Sequence, residues 1–151
     1  MITWLKQQWA RLRGERLART KQEKSGFAGE TAAARFLSSK RGMTILMRNW
    51  RSPKDRRDEI DIVCRSPEGV LVFVEVRTRT GENLFEAYGS IDRRKKTVIK
   101  RAAREYLRGL GPGRHELSYR FDVVIVQRTA DGRYIPHHFE NVPLFSKGKH
   151  I

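Results

Sequence analysis

The stretch Val70-Leu71-Val72-Phe73-Val74 constrains the fold of this chain more than any other segment. In an extended strand Val72, Val74 and Val76 point to one face, and Leu71, Phe73, Glu75 and Arg77 to the other. Both faces begin apolar, so the strand needs cover on each side, as in a sheet with helices above and below. The run is far too short to cross a bilayer. Lys6, Arg11, Arg13, Arg16 and Arg19 break up any apolar segment at the start, so no signal peptide is expected.

The flanking sequence supplies the layers. Residues 26–40 are alanine-rich with helical spacing and stop at Gly42. Residues 43–51 read as a strand, followed by a turn at Ser52-Pro53-Lys54-Asp55. Residues 59–65 and 70–79 are the best strands, joined through Ser66-Pro67-Glu68-Gly69 as a hairpin. Ser90 is the expected N-cap of a helix reaching residue 108, which Gly109, Gly111, Pro112 and Gly113 end. Residues 118–127 and 134–140 are two further strands about a turn at Asp131-Gly132. The order α-β-β-β-α-β-β predicts one α/β or α+β layered domain over residues 25–151 rather than two domains. Ahead of it, residues 1–24 are expected to form a basic N-terminal helix, with Ile2, Leu5, Trp9 and Leu12 on one stripe. A chain of 151 residues suits a single domain that needs neither disulfide nor structural metal.

Charge narrows the partner. Lys+Arg total 32 against 17 Asp+Glu, a net charge of +15 and a pI near 10.7. Nucleic acid is the polyanion that such a balance serves best, through phosphate contacts and counterion release. An anionic membrane surface, reached by the N-terminal helix, is the weaker alternative. The one cysteine, Cys64, forms no internal disulfide, reads as a small core residue, and fits a cytoplasmic protein. Zinc-type spacing is missing, and the neighbours His137 and His138 point opposite ways along a strand, so they do not chelate one ion. Glycine-rich nucleotide loops and nucleophile elbows are missing too.

The informative positions are charges standing where the pattern calls for apolar side chains. Glu75 and Arg77 interrupt one face of the Val70 strand, and Asp61 alternates with Ile60 and Ile62 in the strand before it. A hairpin sets these strands side by side, so Asp61 and Glu75 are expected on a common face. Two carboxylates there repel unless a proton or cation lies between them. That is the oxygen-rich setting a hard divalent ion takes, Mg²⁺ or Mn²⁺, with room for water and a phosphate. Glu30 shares a helical stripe with Phe27, Ala34 and Leu37, and Lys95 shares one with Ile91, Val98 and Ala102. The competing explanation is a buried ion-pair network, for instance Glu30 with Arg77. Asp122, beside Arg120 on one strand face, reads as a structural partner.

These residues carry a family resemblance. Gly29-Glu30, Ala33-Ala34, Asn49-Trp50-Arg51, Glu59-Ile60-Asp61-Ile62-Val63 and Phe73-Val74-Glu75-Val76-Arg77-Thr78-Arg79 resemble the bacterial YraN family. Asp92, Lys95, Ala102-Ala103, Tyr106-Leu107 and Arg120-Phe121-Asp122-Val123-Val124 continue the match, which spans roughly residue 26 to the C-terminus. The resemblance implies an α/β restriction-endonuclease-like core, a central mixed β-sheet flanked by helices, similar to archaeal Holliday-junction resolvases, with Mg²⁺-dependent phosphodiester cleavage. In that superfamily a helix Glu, a strand Asp and a Glu-x-Lys form the site, which here become Glu30, Asp61, Glu75 and Arg77. Arg77 is the departure. A guanidinium stays charged and cannot serve as a base, though it can hold a phosphate. Lys95 is the lysine that a neighbouring helix could offer in its place.

Arg48, Arg51, Lys54, Arg56 and Arg57 surround Trp50, a combination suited to phosphate contact and base stacking. The helix from Ser90 carries eight Lys/Arg against two acids. The expected nucleic-acid contacts are Arg48, Trp50, Arg51, Arg56, Arg57, Arg79, Arg93, Arg94, Lys96 and Lys100. Together the features predict a metal-dependent endonuclease for DNA, including branched DNA, or a binding module that keeps the fold without turnover. Junction cutting would call for a homodimer.

Overall fold

The computed structural model describes residues 21–89, 91–113 and 117–144. Helix α1 (Lys21–Arg41) leads into strands β1 (Thr44–Arg51), β2 (Glu59–Arg65) and β3 (Leu71–Thr80). A short helix α2 (Leu84–Gly89) and the long helix α3 (Arg93–Gly109) follow, then β4 (Tyr119–Arg128) and β5 (Tyr134–Phe139). The five strands form one sheet in chain order, antiparallel except for the parallel β3/β4 pair. A parallel pair needs a crossover connection, and α2 and α3 lie in it. This is the predicted α/β mixed sheet flanked by helices, compatible with a restriction-endonuclease-like core.

The two-sided strand is as expected. Ala33, Ala34 and Leu37 of α1 pack on Ile62, Cys64, Val72, Val74, Val124 and Val126. On the other face Ala102 and Ala103 of α3 pack with Val63, Leu71 and Phe73. Each helix meets the sheet through small residues, which lets its backbone come close and fixes the height of the side chains beside them. Gly42, in the left-handed region at φ 64°, ends α1 and sends Met43 into the core.

Several local expectations change. The N-cap of α3 is Asp92, whose side chain accepts from the Lys95 N–H at 2.8 Å, two residues later than Ser90. Helix α2 lies between the expected strand ending at residue 79 and the expected helix from Ser90, where the sequence pattern predicts no element. Phe27 is 44% exposed; the buried stripe of α1 runs through Gly29, Ala33 and Leu37 instead. Trp50 is only 7% exposed, with its ring edge-on to Tyr106 at 5.5 Å. A ring in that position has no face for a base, so the stacking role expected of Trp50 is corrected to a core role. Helix α1 runs on across the expected boundary between residues 24 and 25. The stripe expected over residues 2–12 lies outside the described residues. No described helix is long and apolar enough to cross a membrane.

Candidate metal and nucleic-acid site

The β2/β3 ladder pairs Ile62 with Val74 and stops there, toward the β2 start. The next β3 amide in need of a partner, Val76 N–H, donates instead to Asp61 Oδ2 at 2.8 Å. A side chain thus replaces strand backbone at the point where the two strands stop pairing. Asp61 and Glu75 stand close enough for each to act on the other's ionisation. Burial, opposed by the Val76 amide and Lys95, raises the Asp61 carboxyl above its ordinary range. Burial and then the Asp61 charge raise Glu75 in the same way.

Two cations face Glu75. Arg77 Nε lies 3.2 Å and Lys95 Nζ 3.4 Å from Glu75 Oε1. The Arg77 Nε is buried without an aligned hydrogen bond, so the contact is charge against charge only. Lys95 reaches in because it sits one helical turn before Ile99, on the buried side of α3. The ion pair foreseen between Glu30 and Arg77 is replaced by this one on Glu75.

Glu30 approaches from α1. Its carboxyl is pushed up to about 7, first by burial and next by the Asp61 charge, against a hydrogen bond to Asn49 and the charge of Arg48. Asn49 stands in β1 with φ 52°, a left-handed conformation that Asn tolerates better than other residues with a Cβ. Asn49 was not among the expected site residues. The available signal was a poor strand former in the middle of a strand.

Gly29 holds Glu30 at this depth. A Cβ there would overlap Thr78 Oγ1 on β3 and press on Thr78 Cβ at 3.2 Å. In an open helix Gly→Ala stabilises by roughly 0.5–1 kcal/mol, but here overpacking of about 1–3 kcal/mol wins. Gly29→Ala should therefore lower stability in urea unfolding, and Thr78→Ala in the same chain should recover part of the loss. Stabilisation by Gly29→Ala alone would refute the close approach.

The raised acids set a pH dependence. A folded-state value of about 7 against an ordinary 4.5 means that Glu30 keeps its proton longer when folded. Its contribution is complete below pH 4.5 and is lost as the pH rises through about 7. Asp61 and Glu75 act in the same direction. Asp122, held low, acts only further into acid. Metal-free protein should melt at lower temperature as pH rises across this window, and Glu30→Gln should flatten the slope. An unchanged slope in Glu30→Gln would remove Glu30 from the buried acid group.

Among the described residues no three His, Cys, Asp or Glu side chains are gathered as a ready ligand set. What the fold assembles is the Asp61–Glu75 pair, with Glu30 near Asp61. These are hard oxygen donors sharing too little positive charge, and as a donor set they fit Mg²⁺ or Mn²⁺.

A basic surface adjoins the pair. Asp58, almost fully buried, takes a bidentate contact from Arg101 of α3, both bonds at 2.5 Å. Lys54 pairs with Glu105 of α3 at 3.2 Å. These contacts dock the 52–58 loop on α3, so its Arg56 and Arg57 extend the exposed row of Arg93, Arg94 and Arg104. Asp58 and Arg101 were missed because nothing local links residues 43 positions apart. Arg57 is paired with Asp55 at 2.8 Å and Arg51 with Glu59 at 3.2 Å. Lys96 and Lys100 are half-buried on α3. Arg48 donates to Thr31 and lies over the Phe27 ring, and Arg79 donates to the Thr78 carbonyl. Those two arginines brace α1 and β3 as well as adding charge.

Asp122 is structural, as expected. Although burial opposes it, His138 at 2.8 Å, Arg120 at 3.0 Å and the Asn141 N–H at 2.9 Å hold its carboxyl below the usual range. Burial pushes the Cys64 thiol up to about 12, which leaves it an inert core group.

Fold and site together define an α/β mixed-sheet protein with paired buried carboxylates beside a basic surface. Residues 29–126 match the uncharacterised protein family UPF0102, and the chain belongs to this family, also called the YraN family. A UPF0102 protein of Corynebacterium efficiens is 39% identical over 125 residues, covering 82% of this chain and 95% of the relative. One from Pelotomaculum thermopropionicum is 44% identical, covering 77% of this chain and 92% of the relative. One from Deinococcus radiodurans is 42% identical, covering 70% and 82%.

Proposed function

We propose that the chain binds DNA in the cytoplasm and cleaves its phosphodiesters with Mg²⁺ or Mn²⁺, branched DNA included. The observation that carries the reading is the buried Asp61–Glu75 pair beside a basic surface formed by α3 and the 52–58 loop. Asp61 and Glu75 would hold the ion, with Glu30 next to Asp61 as a third oxygen donor, directly or through water. A divalent ion there supplies Lewis acidity, lowering the pKa of a water and neutralising phosphate charge. Arg77 and Lys95 now face Glu75 and stand within a side-chain movement of an incoming phosphate. Both can stabilise charge that builds up on it, and Arg77 does so without acting as a base. Burial and the Asp61 charge push the metal-free Glu30 carboxyl up to about 7, and a bound ion would draw it down toward the carboxylate form that donates oxygen.

A second reading has its own support. Glu75 is already paired with two cations, and no third ligand closes the set among the described residues. A non-catalytic nucleic-acid-binding module would keep this network purely for structure. Linear, single-stranded, flapped and four-way DNA incubated with Mg²⁺ or Mn²⁺ separates the two. Metal-dependent cutting of any of them supports the enzyme; binding to all without cutting supports the module.

A further inference from the structure

A cavity of about 400 Å³ opens beside Glu30, between α1 and the ends of β3 and β4. Besides Glu30 its walls include Ser25, Thr78, Thr80 and Arg128. Arg128 is aligned with Thr80 across the parallel β3/β4 ladder. By strand alternation it lies on the α1 face, in line with the core residues Val124 and Val126. It is half-buried, and among the described residues it has no ion-pair or hydrogen-bond partner. Among the described residues three other half-buried cations are matched by acids: Arg77 by Glu75, Arg120 by Asp122, and Lys95 by Glu75. A guanidinium withdrawn from water without an acid loses solvation and gains nothing in return, unless an anion comes to it. Its planar fork suits two phosphate oxygens at once, and three neighbouring hydroxyls can donate to the others.

Glu30, whose carboxyl feels the Asp61 charge, and Arg77, which pairs with Glu75, both line this cavity together with Arg79, so it adjoins the Asp61–Glu75 pair. An anion in the cavity is therefore placed beside the reacting position, not at it. We propose that the cavity is a phosphate subsite, in which Arg128 clamps a phosphate of the nucleic-acid strand next to the one presented to Asp61 and Glu75. The proposal rests on the nucleic-acid reading above, and adds a residue that neither the charge pattern nor the resemblance singled out. The phosphate can be an internal phosphodiester of an unbroken strand or the terminal phosphate of a cut one. Both present the same oxygens to the guanidinium.

The test is fluorescence-anisotropy binding by the full chain in EDTA, so that no cleavage intervenes. The probes are a short intact duplex, the same duplex nicked with a 5′-phosphate, and the nicked duplex with a 5′-hydroxyl. Arg128→Ala should weaken binding by about tenfold and lower the salt slope by about one. Arg128→Lys, which keeps the charge and loses the fork, should fall between. Arg133→Ala, which removes an exposed arginine paired with Asp131, should bind as wild type. Loss on all three duplexes identifies an internal phosphate; loss confined to the 5′-phosphate nick identifies a terminal one. Arg128→Ala should melt as wild type, since it breaks no ion pair. Should it melt lower, Arg128→Lys at wild-type stability decides in its place. Wild-type affinity of both Arg128 variants for every probe overturns the subsite while leaving the nucleic-acid reading intact. Failure of the wild-type chain to bind any probe overturns both.

Discussion

Raising salt from 50 to 200 mM should weaken duplex DNA binding by on the order of 10³–10⁵-fold, for six to ten neutralised phosphates. The surface that supplies those contacts is specific. Arg93, Arg94 and Arg104 are exposed along α3, and the Arg101–Asp58 clamp holds the loop with Arg56 and Arg57 against it. Stacking will not offset the salt effect, because the aromatic residue at the centre of the basic cluster, Trp50, is buried against Tyr106. Acidic partners temper the gain at Arg57 and Arg51, whose charges are shared with Asp55 and Glu59. Replacing Arg93 and Arg94 together with alanine should lower the slope of log affinity against log salt by about two. Fluorescence anisotropy across a salt series reads both quantities. A binding constant indifferent to salt would remove nucleic acid as the partner of this charge.

The fold was legible in the sequence where a single strand had to satisfy two faces. Val72 and Val74 met α1, Leu71 and Phe73 met α3, and the layered sheet followed from that demand alone. The Ser66–Gly69 turn was equally clear, with Gly69 at φ 87° closing the hairpin. What escaped notice depended on contacts between distant residues. Asp92 displaced Ser90 as N-cap because its carboxylate reaches the Lys95 amide. Phe27 fits a helical stripe with Glu30 and Leu37, yet the close approach at Gly29 turns the helix so that Phe27 faces out.

The site shows the same division. Asp61 and Glu75 were visible as charges in apolar alternation, and the fold brings them together. The partners of Glu75 were not visible. A strand pattern places Arg77 on the same face, but only the packing of α3 decides that Lys95 arrives as well. Asn49 is set apart by its backbone conformation and Arg128 by its depth beside α1, neither of which leaves a period in the sequence.

The last expected result separates enzyme from binder at the carboxylate pair. Asp61→Asn keeps an oxygen to accept the Val76 N–H and removes one of two neighbouring charges. Asp61 makes no ion pair of its own among the described residues, so no cation is left stranded. In EDTA at neutral pH the variant should be as stable as wild type or more so, since the buried Asp61 charge and its raising effect on Glu75 are gone. It should lose the rise in melting temperature that Mg²⁺ or Mn²⁺ gives the wild type. Cleavage should fall by about 100-fold or more, since groups one step removed from a metal already cost 10–100-fold. DNA affinity in EDTA should stay within a few-fold of wild type, because the basic surface is untouched. Glu75→Ala behaves differently. It removes the counter-charge of Arg77 and Lys95, each about a quarter exposed, so part of the roughly 3–5 kcal/mol for stranding a buried charge should appear as lost stability. The contrast between the two variants is the diagnostic. If Asp61→Asn is as destabilised as Glu75→Ala, and the wild type gains no stability from either ion, the carboxylates serve the ion-pair network alone. The chain is then a nucleic-acid-binding module on a nuclease-like fold.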